Sequence, residues 1–137
     1  ILAAQMPEVF ESVSERTMTK HVDIVQSEID IIGLAHTEIG AALMLKWGFP
    51  DLIWVCVKNH HRSDYSGPFY NAVHLIYLAN QLSQHAPPES EGEALAMLSD
   101  IPGWEKSDIS ALSIFMACKM ADSRVAEVMG SLGVTNS

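Results

Sequence analysis

Apolar residues recur along this chain with the period of a helix and not with that of a strand. Pro7 opens a first helix running to about Thr17, with Val9, Phe10 and Val13 on one side. Proline suits a first turn because the N–H it lacks has no helical partner there. Val22, Val25, Ile29 and Ile32, spaced by three or four, mark a second helix from about Thr19 to Ile32. Gly33 follows where a left-handed residue is needed to close it. Ile39, Leu43 and Trp47 form the stripe of a third helix over about 36–47, ended by Gly48. Pro50 starts a fourth, from Asp51 to about His60. Its Leu52, Ile53, Val55, Cys56 and Val57 are apolar nearly all round, as in a helix buried between others.

Residues 62–68 read as a polar loop. A long fifth helix is expected from about Phe69 to His85, stopped by Pro87 and Pro88. Ser90 with Glu93 makes a capping box for a short helix through Leu98, and Pro102-Gly103 breaks the chain again. Ser107 is expected to cap the last helix, about 108–131, with Ile109, Leu112, Phe115, Met116, Met120, Val128 and Met129 on its inner side. Gly130 and Gly133 mark its fraying end. No repeat, alternating strand or domain linker is visible. The expected fold is all-α: one compact helical bundle of about six helices.

Composition agrees and narrows the partners. With 48% hydrophobic and 18% charged residues, the chain is neither disordered nor fibrous. At its length it can bury roughly 65–70% of its unfolded surface. Seventeen acidic against eight basic residues give a net charge of −9, with the acidic excess at both ends and no Lys/Arg cluster. Nucleic acid and anionic membrane are therefore not expected as partners. No apolar run reaches the roughly 18 residues of a membrane span, and no signal peptide is visible. Cys56 and Cys118 show no metal or redox spacing, which suits buried thiols in a reducing cytoplasm, the expected location. The chain begins Ile1-Leu2-Ala3-Ala4 without an initiator Met, as though cut from a longer one.

Four histidines fall in positions that invite chemistry: His36 at the start of the third helix, His60 and His61 closing the fourth, and His74 within the fifth. His21 and His85 lie on polar stretches and read as solvated. A short connection makes the third and fourth helices an antiparallel or steeply crossed pair, which brings His36 toward His60 and His61. Neutral imidazole is a common ligand of divalent transition metals, so these residues could hold one. Equally, a histidine near a helix C-terminus is favoured by the dipole and needs no metal. The nearest acids in sequence, Glu38 and Asp64, are not placed by any argument. No phosphate-binding glycine loop is present, Cys56 reads as core, and the serines show no nucleophile elbow. Trp47, Trp54 and Trp104 with Met116, Met120 and Met129 would line a docking groove, but core packing is the commoner use of such residues.

The segment from Glu28 through Gly33-Leu34-Ala35-His36-Thr37-Glu38-Ile39-Gly40, then Lys46-Trp47-Gly48-Phe49-Pro50, then Asn59-His60-His61, resembles the HDOD domain. That family is a bacterial signalling and regulatory relative of the HD superfamily of metal-dependent phosphohydrolases. Ala72-Val73-His74-Leu75 through Asn80-Gln81-Leu82 is similar to the helix that follows in both groups. The resemblance covers about residues 1–86 and is loose beyond. It implies that His36, His60, His61 and Asn80 occupy places where catalytic relatives bind metal. In those relatives the place of Asn80 is an Asp, and a His-Asp doublet lies on an earlier helix. None of the six histidines here is followed by Asp. After the histidine pair the chain reads Arg62-Ser63-Asp64-Tyr65-Ser66-Gly67-Pro68, where the cyclic-dinucleotide phosphodiesterase branch has an acid and Gly-Tyr-Pro.

What the resemblance implies is a non-catalytic HDOD-like regulatory domain acting through a protein partner, an adjacent signalling domain or a second copy of the chain. Residues 1–137 would be a single helical domain, the later part of an HDOD-like domain whose first helices lie upstream. No cofactor is expected, with a divalent metal ion at His36, His60, His61 and Asn80 as the alternative. Three imidazoles and an amide leave a dication poorly compensated, although three histidines can hold zinc. The rival reading is a metal-dependent phosphohydrolase acting on a nucleotide or other phosphoester. A small-ligand sensor using the same pocket is a third.

Overall fold

Local chemistry sets most of the helix ends in the computed structural model, which describes residues 6–20 and 22–131. Helix α1 spans Pro7–Lys20, α2 Ile24–Ile32, α3 His36–Lys46, α4 Asp51–Asn59, α5 Tyr70–Leu82, α6 Glu91–Ser99 and α7 Ala111–Ser131, with a 3-10 turn at Trp104–Lys106. The described residues are thus all-helical with no strand, and their seven α-helices fall on the seven segments that the sequence marks. No helix among them is long and apolar enough to cross a membrane. Gly33 and Gly48 close α2 and α3 at φ +83° and +73°, a region that costs any residue with a Cβ. Ser90 Oγ accepts from the Glu93 N–H at 3.2 Å, and the Glu93 carboxylate accepts from the Glu89 N–H, one residue before the expected reciprocal partner.

Two boundaries differ from expectation. Helix α1 continues to Lys20, and α2 begins only at Ile24, where Asp23 caps it by accepting from the N–H groups of Val25 and Gln26. Asp23 sets the start because its carboxylate serves two orphan donors at once. The cap of α7 is Ser110, whose Oγ accepts from the Ser113 N–H. Ser107 instead donates to the Trp104 carbonyl and closes the 3-10 turn. His21 and Gly133, and the side chain of Met129, lie outside the described residues.

The chain divides into two compact units, 1–76 and 77–137. In the first unit α1 packs on α2 and α3 packs on α4. Arg16 of α1 pairs with Asp30 of α2, which also accepts from the Gln26 amide. Val13, Ala35, Ala41, Val55 and Val73 are its buried apolar residues, joined by Ser27, Glu28, Thr37, Asn59 and His74. Gly40 lets α3 and α4 approach closely, for a Cβ there would sit 2.7 Å from Val57 Cγ1. In the second unit Tyr77, Leu78, Ala94, Leu98, Ile101, Ala111 and Ile114 form one cluster, with Leu82, Trp104, Ile109, Phe115 and Cys118 packed against it.

Several apolar residues expected inside are on the surface. Leu52 and Ile53 are exposed, so α4 buries one side and not its whole circumference. Trp47 is 60% exposed, and Leu112, Met116 and Met120 of α7 are also exposed. From Lys119 onward every α7 side chain described is exposed, including Val125 and Val128, which continue the spacing of Ala111, Ile114 and Cys118. Cys56 and Cys118 are half-buried free thiols, and burial pushes Cys56 up.

Candidate metal centre

The α3–α4 pair carries one imidazole at the start of its first helix and two at the end of its second. His36 is the first residue of α3, His60 is the C-cap of α4, and His61 follows it. Folding the pair brings these ends together. The ring centroids lie 5.2 Å apart for His36 and His60, 5.0 Å for His36 and His61, and 4.4 Å for His60 and His61. One ring nitrogen from each lies within 4.8 Å of the other two.

Hydrogen bonds orient two of the rings. His60 Nδ1 donates to the Val57 carbonyl at 2.7 Å, since a carbonyl can only accept. His36 Nδ1 faces Glu28 Oε2 at 2.6 Å, and the same oxygen accepts from the His36 backbone N–H at 2.8 Å. This bond has a local cause. Ala35 sits at the N-cap of α3 and offers no side-chain acceptor, so Glu28, reaching back across the Gly33 turn, takes the first orphan donor.

With both Nδ1 atoms acting as donors, neutral rings would present the Nε2 lone pairs of His36 and His60 to each other at 3.2 Å. Two lone pairs at that separation call for a proton or a cation between them. A tetrahedral ion with metal–nitrogen bonds of about 2.05 Å holds its ligands about 3.3 Å apart, close to this spacing. Burial, opposed by the bond to Val57, lowers His60 below the usual imidazole range. Burial first, then His60 and His36, push His61 down to about 4 against the opposing pull of Asp23 and Glu28. The donor set therefore fits a borderline divalent metal that takes neutral nitrogen ligands.

Of the sequence candidates, His36, His60 and His61 come together in the first unit; Asn80 lies on α5 in the second. His74 is buried and stacked on Tyr70, with centroids 5.4 Å apart. His85 is exposed, as its polar surroundings suggested. Asp64 pairs with Arg62, and Glu38 is exposed. The acids that act on the histidines are Glu28 and Asp23, to which the sequence attached no role. Glu28 had one readable signal: it is an acid next to an apolar stripe, on the helix before one that begins without a capping side chain.

The described residues are all-helical and carry an imidazole cluster in the first unit. A family model for the HDOD domain matches residues 1–63, a stretch that holds all three histidines and ends before Asn80. The likeness to this HD-related signalling and regulatory family is thus a finding for the first 63 residues. No curated protein and no solved structure matches the chain.

Proposed function

We propose that the chain is a non-catalytic HDOD-like regulatory domain that works through a protein partner or an adjacent signalling domain. Within it, His36, His60 and His61 hold one divalent transition-metal ion. The observation that carries this reading is the donor set of three convergent imidazoles, with Glu28 engaged on His36. Bound there, the ion would supply nitrogen coordination that joins the start of α3 to the end of α4. The chain's own residues do the rest: Val57 and Glu28 orient the rings, and Gly40 sets how closely the two helices meet. The contact half of the reading is supported by Leu45, Trp47 and Phe49, all exposed where α3 turns into α4.

Cobalt(II) titration followed by visible absorption tests the site. One equivalent is expected to bind, and His36→Ala, His60→Ala or His61→Ala should each weaken binding by more than the ~10–100-fold that losing an outer partner costs. Substoichiometric uptake by the wild type would reject the metal. Metal-dependent turnover of a phosphodiester such as bis(p-nitrophenyl) phosphate, abolished by His36→Ala, would reject the non-catalytic reading and favour the hydrolase.

A further inference from the structure

We infer that Glu28 is the positioning residue of this site: its Oε2 fixes the ring and tautomer of His36, so that the bare Nε2 faces His60. The inference rests on the three-histidine reading above and goes a step further, to the group that makes three imidazoles a site. Glu28 is only 4% exposed, although nothing about a helix cap requires the capping acid to be buried. Its Oε2 makes two bonds, and capping α3 accounts for one of them. The second, to His36 Nδ1 at 2.6 Å, is the shorter and involves the side chain alone.

The backbone donor settles what the oxygen can be. The His36 N–H is a fixed donor, so the atom 2.8 Å from it is an acceptor. When that acceptor is a carboxylate oxygen, the nitrogen that meets it at 2.6 Å must bring the proton, and Nδ1 carries it. In the neutral ring Nε2 is then bare, and it is the atom 3.2 Å from His60 Nε2. Metal-bound histidines commonly give their other N–H to a carboxylate, which fixes the ring and raises its basicity. A carboxylate behind His36 also places a negative charge beside a site whose ligands carry none, easing the poor compensation of a dication.

The test separates this role from capping and from the metal reading itself. In the metal-free wild type above the imidazole titration, long-range ¹H–¹⁵N imidazole spectra should show His36 protonated at Nδ1; a neutral ring protonated at Nε2 alone overturns the inference. Glu28→Leu should move His36 toward the Nε2-protonated form and weaken cobalt(II) binding ~10–100-fold. An unchanged tautomer in that variant overturns it too. Glu28→Gln is the conservative rescue. The fixed backbone donor selects the amide oxygen, so the tautomer should be kept and the affinity should stay within about tenfold of wild type. Should Glu28→Leu fail to fold, the wild-type spectrum and Glu28→Gln still decide: loss of the Nδ1 proton in the isosteric variant overturns the inference. If the wild type takes up no cobalt, the metal reading fails alone, and the tautomer still reports on Glu28.

Discussion

At the scale of single residues, the site is made by side chains whose neighbours force their direction. His60 is turned by the Val57 carbonyl and His36 by Glu28, and both bonds come from elements the helical pattern does not weigh. The three histidines were legible in the sequence because a short turn between two helices brings their ends together. Glu28 was not, because periodicity assigns the inward face of a helix to its apolar residues. In α2 the fully buried residues are Ser27 and Glu28, whereas Ile29 of the expected stripe is 43% exposed. Where a helix serves a polar site, local pattern and global role part company. Asp23 offers a sharp check at this scale. Asp23→Ala removes the cap of α2 and should lower unfolding stability by about 1 kcal/mol, with Asp23→Asn retaining most of it. Urea denaturation of the full chain measures both.

Among the elements, those with strong local punctuation were read best. Gly33, Gly48 and the Ser90–Glu93 pair work within a few residues and depend little on tertiary context. The start of α7 was misread because Ser107 and Ser110 are both plausible caps, and only packing decides that Ser107 closes a 3-10 turn. The α3–α4 pair carries the most consequential contact. Gly40→Ala would drive a Cβ against Val57 Cγ1, and a β-branched side chain in a helix has little freedom to move aside. A loss of about 1–3 kcal/mol is expected, together with weaker cobalt(II) binding as the ends of the pair shift. Adding Val57→Ala should recover part of both losses, a coupling that a double-mutant cycle reads directly. In the second unit, Leu98 is 1% exposed at the centre of its cluster. Leu98→Ala should cost about 2–5 kcal/mol, seen as a lower denaturation midpoint.

For the molecule as a whole, the apolar pattern marked the helices, and the charge bears on which partners the chain can meet. A net charge of −9 without a basic cluster predicts that the chain passes through heparin resin unretained at physiological salt, a simple chromatographic check. The family match stops at residue 63, short of the stretch to about 86 that resembles the HDOD domain. The long helix α7 was expected to turn a Met-rich side inward, yet Ala111 and Ile114 are buried while Met116 and Met120 face out. The outer half of α7 has a practical consequence. With no described side chain buried after Cys118, its hydrogen bonds have only their own helix to protect them, and such segments open at low cost. Lys119 and Arg124 lie in that half. Brief digestion with trypsin should cut there first, leaving a core fragment that ends on α7 near its last buried turn.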